Sequence, residues 1–351
     1  MLDNLSQQLA DGVALDSQQV TTAVTALVDE TVSPEVKAAF LTALARKGET
    51  TEEIASFARE LRERSVPVPL DAQTRSREIL DVCGTGGDRL NTFNISTTVA
   101  LVCVAAGVTV AKHGNRAITS QSGSADVLEA LGIPVELTPE QVGTSLQHKQ
   151  FAFLFAPKFH PAFRHIGPAR KLCAERGQRT IFNFLGPLLN PARPSAQIIG
   201  VARPELCEPM AKVLQSLGVR RGMVVCGEVG RARGKSPVFL DELSTLGETT
   251  IAEFYHDRGF SVTKLSEMDF PLQPATLRDL AGGDRIANAE IVRRVLDGRE
   301  TGPKRDAVLL NAAAALFVAG CTKSFAEGWE LAEEVIGQGK AIAKLMKLNQ
   351  R

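Results

Sequence analysis

Three glycines fall within four positions of the segment DVCGTGGDRLNTFNIST, residues 81–97. No other feature limits the fold as much. EILDVCG, leading into it, has the short unbroken apolar texture of a buried strand, and STTVALVCVAAG, leading out, has the length of a buried helix. A glycine turn from strand to helix is the connection of an open α/β sheet, where ligands sit beyond the carboxyl ends of the strands. Glycine backbone can approach phosphate oxygens closely, and the following helix adds free N–H groups and the positive end of its dipole. Asn94, Ser96 and Thr97 stand at the helix start, where they either cap it or face an anion. Asp88 would repel a phosphate unless it bonds sugar hydroxyls or backbone, or meets a cation. The spacing is neither G-x-G-x-x-G nor the lysine-bearing Walker pattern, so neither a dinucleotide nor ATP is signalled. Alone, the cluster is equally compatible with an ordinary loop.

A second turn repeats the logic. In VTVAKHGNRAITSQSGSAD, residues 108–126, a strand leads into Lys112, His113, Gly114, Asn115 and Arg116, and Ser120, Ser122 and Ser124 precede a helix. Lys112 and Arg116 supply charge for phosphates, and Asn115 can read a planar polar ligand through either end of its amide. Each residue has a plain structural explanation: a turn histidine, a helix cap, a solvated cation. Two hydroxyl-rich turns, both after a strand and before a helix, make that explanation weaker for the set.

The same alternation continues through SADVLEALG, IPVELT, FAFLFAP, AQIIGVA and GMVVCGE, which predicts a mainly parallel sheet covered by helices on both faces. The first seventy residues read as helices instead. Val20, Ala23, Val24, Leu27 and Val28 recur at helical spacing; Ser33, Pro34 and Gly48 bracket a second helix; Thr50 and Glu53 have capping-box spacing before a third that buries Ile54, Phe57 and Leu61. VPVPLD (66–71) reads as a linker. The basic segment FRHIGPARKLCAERGQRT is helix-like and is expected to pack back on the N-terminal helices. Two helices are expected in the tail from Asp306. The fold class is therefore α/β, with a small helical domain over 1–70, joined by helices around 166–185, and a larger catalytic domain over 71–351.

Lysine plus arginine equal aspartate plus glutamate at 40 each, which argues against bulk nucleic-acid binding. No apolar run approaches the roughly 18 residues of a membrane span, and the acidic N-terminus lacks a signal-peptide core. Six scattered cysteines without a C-x-x-C pair fit reduced thiols in a cytoplasmic enzyme. Asp241 and Glu242 follow the short apolar run VFL; beside a polyphosphate site such a pair would hold magnesium, and elsewhere it would be a solvated loop.

GTGGD-x-x-x-T-F-N-I-S-T, then KHGNR, then S-x-S-G-S-A-D, then RTIFNFLGPLLNPA and a late LDE together resemble the anthranilate phosphoribosyltransferase family over almost the whole chain. The resemblance implies a nucleoside-phosphorylase-type fold, a homodimer, and transfer of phosphoribosyl from 5-phosphoribosyl 1-diphosphate (PRPP) to anthranilate in tryptophan biosynthesis. By position it implies PRPP binding by Gly84, Gly87, Asp88, Thr92 and Asn94, Ile95, Ser96 and Thr97. Lys112, His113, Gly114, Asn115, Arg116, Ser120 and Ser124 complete that site. It implies anthranilate contacts from Gly84, His113, Asn115, His160 and Arg170, and Mg²⁺, two ions per active site, on Ser96, Asp241 and Glu242. No dedicated general base stands out. Segments 171–178 and 228–239 are longer than the family pattern. A pyrimidine nucleoside phosphorylase and a non-catalytic nucleic-acid-binding relative share the architecture and stay open at this stage.

Overall fold

The computed structural model describes residues 1–117, 121–230, 237–256 and 258–350. The chain opens with four helices, α1 (Leu2–Ala10), α2 (Ser17–Val28), α3 (Pro34–Lys47) and α4 (Thr51–Glu63). Their ends follow local chemistry. The Ser33 side chain accepts from Val36 N–H, and Gly48 ends α3 at φ 88°. Thr50 and Glu53 complete a reciprocal capping box for α4. After residues 66–71 comes the short α5 (Ala72–Ser76) and then the sheet.

The sheet and its covering helices run β1 (Ile79–Gly84), α6 (Ile95–Ala105), β2 (Thr109–Gly114), α7 (Ser124–Ala130), α8 (Pro139–Lys149) and β3 (Phe151–Phe155). Next come α9 (Ala156–Phe159), a 3₁₀ turn (Pro161–His165), α10 (Gly167–Glu175), β4 (Ala196–Gly200), α11 (Cys207–Ser216) and β5 (Arg221–Val229). The chain closes with β6 (Val238–Leu240), β7 (Thr249–Tyr255), β8 (Arg258–Leu265), α12 (Arg285–Leu296), α13 (Pro303–Val318), α14 (Phe325–Gly337) and α15 (Lys340–Asn349).

Strand order is β3-β2-β1-β4-β5-β7-β8, with β6 beside β5. The first five are parallel; β6, β7 and β8 are antiparallel additions. Chain progression reverses between β1 and β4, so the topological switch point lies at their carboxyl ends. Leu80, Val82, Val110 and Ile198 face a core shared with α6 and α13. Ile199, Val201 and Val224 face the opposite way, into a core shared with Phe57 and Leu61 of α4 and with α11. α11 covers this face of the sheet, and the helical bundle packs on α11 through α4. α10 lies on α3, where Cys173 Sγ approaches the Ala38 carbonyl at 3.6 Å.

Two expected elements come out differently. IPVELT is a loop and not a strand: Pro134 has no N–H for a ladder, and Thr138 is taken up by its capping box with Gln141 at the start of α8. The tail after α13 is two helices, α14 and α15, because Gly339 turns left-handed at φ 70° between them. The antiparallel strand TTIAEFY, β7, went unread.

Glu53 is the tie that closes the bundle. Its fully buried carboxylate accepts from Leu15 N–H at 2.9 Å, Thr50 N–H at 2.8 Å and Lys47 Nζ at 2.6 Å. Glu53→Ala would strand a buried ammonium and two amides, at a cost of roughly 3 kcal/mol. Denaturant unfolding should show that loss, while the exposed-side substitution Glu52→Ala should stay within about 0.5 kcal/mol.

Candidate active site

Gly84 ends β1, Gly200 ends β4, and the two are register partners across the parallel ladder. A Cβ on Gly84 would collide with the Asp241 carboxylate, and one on Gly200 with the Asp241 main-chain carbonyl. Gly227 in β5 lies under the Glu242 carbonyl, 2.6 Å from where its own Cβ would stand. Three neighbouring strands therefore present bare backbone here, β1 and β4 at their last residues and β5 two residues before its end, and the acidic pair sits in the notch this leaves at the switch point. Gly200 and Gly227 were missed; the signal was present, since QIIG and VVCG end like DVCG. Asn311 of α13 fixes the pair from the other side, donating to Leu243 C=O at 3.0 Å and accepting from Leu243 N–H at 2.9 Å.

The glycine turn wraps this carboxylate. Gly86 N–H donates to Asp241 Oδ2 at 2.6 Å, with Gly86 at φ 71° and Gly87 at φ 92°. Arg89 and Asn91 are also left-handed, at φ 61° and 52°, a strained loop held by surrounding structure. That hold is visible: Thr92 bridges Ala281, and Phe93 N–H donates to Leu280 C=O at 3.0 Å. The next helix, α6, begins at Ile95 without a side-chain cap. Asn94 Oδ1, Thr97 Oγ1 and Ser122 Oγ are buried there without partners. At this uncapped helix N-terminus the Thr97 and Ser122 hydroxyls can donate to an anion, and Asn94 Oδ1 can accept from a ligand hydroxyl.

Glu242 accepts from Ser96 N–H at 3.2 Å. Lys112 of β2, buried beneath, donates to Val82 C=O at 2.5 Å and to Ser96 Oγ at 3.4 Å. Burial pushes both Asp241 and Glu242 above the ordinary carboxylate range; Asp88 adds to this at Asp241, and Asp241 adds to it at Glu242, with Lys112 opposing. Three carboxyl groups crowding one notch favour a cation. Among the described residues no three His, Cys, Asp or Glu side chains converge closely enough to hold a metal alone. The oxygen donors Asp241, Glu242 and Ser96 therefore fit a hard ion that takes its remaining ligands from a substrate, which is how Mg²⁺ is commonly held.

On the opposite face of β1 and β2 the second turn contributes differently. His113 is buried, and desolvation, with His160 beside it, pushes its pKa down to about 3; His160 is likewise pushed down by burial, to about 4. The two rings meet edge to face at 5.2 Å, and each has an unpartnered Nε2. Phe163 follows at 5.2 Å from His160, then Phe182 at 5.7 Å, with the Arg170 guanidinium 5.4 Å over the Phe182 ring. This apolar, ring-lined wall with one desolvated cation suits a flat aromatic acid. Phe163 and Phe182 carried no signal in the sequence beyond being apolar. Asp81 and Asn190 underpin the wall: Asp81, raised to about 6 by burial, accepts from Asn190 Nδ2 at 2.9 Å and from His113 N–H at 3.3 Å.

Asn115 is exposed at the end of β2, and its carbonyl accepts from Ser124 Oγ at 3.3 Å. Gly114 packs against Ser124 Oγ and the Phe153 ring. Arg116 is already engaged: Glu129 takes it bidentately at 2.6 and 2.7 Å, and Asp126 and Glu136 lie at 3.4 and 3.3 Å. Its side chain anchors α7 to the turn. Ser120, and 231–236 of the long 228–239 segment, lie outside the described residues.

A helical bundle over one face of a sheet, with an anion cradle and an acidic notch at the switch point, defines a two-domain glycosyl transferase. Residues 4–65 match the glycosyl transferase family helical bundle domain and residues 76–342 its a/b domain. The chain is 44% identical to the anthranilate phosphoribosyltransferase of Geobacter sulfurreducens, covering 99% of this chain and 98% of that one. The enzyme of that name from Thermus thermophilus superposes with a TM-score of 0.86 at 43% identity, over 98% of both chains. The one from Saccharomyces cerevisiae, solved in complex with PRPP and Mg, superposes with a TM-score of 0.85 at 30% identity, over 99% of this chain and 96% of that one. The chain belongs to the anthranilate phosphoribosyltransferase family. The nucleoside phosphorylase and nucleic-acid-binding readings are not favoured.

Gly200→Ala would push the Asp241 main chain outward. A shift of about 1 Å at a reacting centre costs on the order of 100-fold. Turnover is therefore expected to fall by about that factor in a steady-state assay, with circular dichroism unchanged.

Proposed function

We propose that this chain joins the amine of anthranilate to the anomeric carbon of PRPP, giving N-(5-phosphoribosyl)anthranilate and diphosphate, a step of tryptophan biosynthesis. The observation that carries this reading is the acidic notch over Gly84 and Gly200, set beside an uncapped helix start where Asn94 Oδ1, Thr97 Oγ1 and Ser122 Oγ have no partner. The turn from Gly84 through Gly87 and Asp88 to Thr92, with the α6 start at Asn94 to Thr97, grips the phosphoribosyl diphosphate. Lys112, the His113 to Arg116 turn and Ser124 border it, and Ser120 is assigned by its position in the motif. Arg116 serves through its backbone, since its guanidinium is spent on three carboxylates.

Ser96, Asp241 and Glu242 hold Mg²⁺, assigned as two ions per active site. When bound, the ion neutralises the diphosphate as it departs. The relative solved with PRPP and Mg supports the use of magnesium. Anthranilate lies against His113 and His160, its carboxylate paired with Arg170 and its amine near Asn115 and Gly84. Attack forms the N–C1 bond as the C1–O bond to diphosphate breaks. Both histidines are neutral at physiological pH, so neither ring adds positive charge beside the cation-like ribose carbon. The aryl ammonium formed on attack is acidic and releases its proton to water after bond formation, so no dedicated base is required. The bundle and the α/β layer close around both substrates at 66–71 and 166–185. A cytoplasmic homodimer completes the reading.

Arg170→Ala should raise the anthranilate KM by about 10- to 100-fold, the worth of a charge-assisted pair, while the PRPP KM moves less than about threefold. Equal effects on both substrates in steady-state kinetics would reject Arg170 as the carboxylate partner.

The carboxylate shifts give a pH signature. A carboxyl raised in the folded state stabilises fully below its unfolded pKa and loses that contribution as pH rises through its folded pKa. Without metal, Asp241 and Glu242 should therefore weaken the fold as pH climbs above the ordinary carboxylate range. Bound Mg²⁺ replaces those protons, so its thermal stabilisation should be larger near about pH 8 than near about pH 6. The double variant Asp241→Asn with Glu242→Gln should lose that difference in a thermal-shift measurement.

A further inference from the structure

Lys37 is out of place in α3. Ala38, Phe40, Leu41 and Leu44 give that helix a buried apolar face, yet Lys37 is itself only 1% exposed. A methionine would fill the same space without the cost of desolvating an ammonium. What only the lysine can do is donate to two carbonyls at once. Its Nζ lies 2.6 Å from Asp29 C=O, at the C-cap of α2, and 2.9 Å from His165 C=O, in the 3₁₀ turn before α10. Burial pushes its pKa down, and the Asp29 carboxylate opposes that shift.

His165 sits in the middle of a continuous backbone ladder. Phe163 N–H donates to His160 C=O at 3.0 Å, Ile166 N–H to Phe163 C=O at 3.0 Å, and Arg170 N–H to Ile166 C=O at 3.1 Å. One rigid arm therefore carries His160, Phe163 and Arg170. A second clamp holds its far end, where Cys173 Sγ meets Ala38 C=O and, at 3.8 Å, Thr42 Oγ1. Both clamps belong to α3. His113, across the pocket, rises from β2 of the sheet.

We propose that Lys37 is a positioning residue for the acceptor pocket: by pinning the His165 carbonyl to α3, its ammonium sets Phe163 and Arg170 opposite His113. The aromatic substrate is then read between a wall that belongs to the helical bundle and a wall that belongs to the sheet, whereas the PRPP cradle lies wholly on the sheet side. This rests on the assignment of His160 and Arg170 to anthranilate.

The test measures both KM values and the thermal midpoint for Lys37→Met, Lys37→Gln and Arg170→Ala in the full-length enzyme with Mg²⁺. Lys37→Met should raise the anthranilate KM at least about fivefold and leave the PRPP KM within about twofold, with Lys37→Gln, which keeps amide N–H donors without the charge, falling between it and the parent. If Lys37→Met does not fold, Lys37→Gln alone carries the same split. Parallel rises in both KM values, or a lower midpoint with neither KM changed, make Lys37 purely structural and overturn the proposal. An unchanged anthranilate KM in the Lys37 variants beside a raised one in Arg170→Ala also overturns it and leaves the acceptor assignment standing. An unchanged value in all three overturns that assignment and this one with it.

Discussion

The fit of Asp241 into the gap above Gly84 and Gly200 is the constraint on which the rest of the structure depends. The two glycines are partners at the carboxyl ends of adjacent parallel strands, at the point where chain progression reverses. Any side chain at either position would expel the carboxylate from the one place where it can meet Gly86 N–H and lie beside the Ser96–Glu242 contact. The notch interleaves two opposed kinds of charge. Backbone amides and a helix N-terminus call for an anion, while crowded carboxylates call for a cation. A magnesium–diphosphate ligand satisfies both demands at once, and a plain phosphate satisfies only one.

The acceptor side works by the opposite principle. There the structure removes charge: burial keeps His113 and His160 neutral and leaves Arg170 as the cation of the wall, its pKa lowered by desolvation. A desolvated guanidinium without a carboxylate close by is costly to maintain and strong when a partner arrives. The two halves of the site meet at the carboxyl ends of β1 and β2. Lys112 turns toward Ser96 and His113 toward His160, because successive strand residues point to opposite faces. The proposed assignment of the KHGNR motif to two ligands rests on that alternation.

Much of this was legible in the residues. Helix caps at Ser33 and Thr50 and the strands that end in DVCG and VAKHG follow from patterns spanning a few residues, whereas the start of α6, open in the sequence between a cap and an anion site, is uncapped in the structure. The misreadings have local physical causes. IPVELT has strand-like alternation, but its proline and its capping threonine decide otherwise. Arg116 reads as a phosphate ligand from composition, yet Glu129, thirteen residues on, claims its guanidinium once α7 folds back. Phe163, Phe182 and Asn190 were invisible as site residues, since an apolar ring or a buried amide has no signature until its neighbours are known.

The sequence by itself determined most of the helices, the strands that lead into the two hydroxyl-rich turns, and the neutral charge balance, because helix periodicity, capping and glycine conformations are decided within about four residues along the chain. Only the tertiary structure decided that Asp241 descends between two strands formed far earlier in the chain, and that a lysine of α3 grips the arm bearing Arg170. Those contacts depend on strand order and on how one layer packs over another. Neither is written in any short window, since it is the burial of both sheet faces together that selects them.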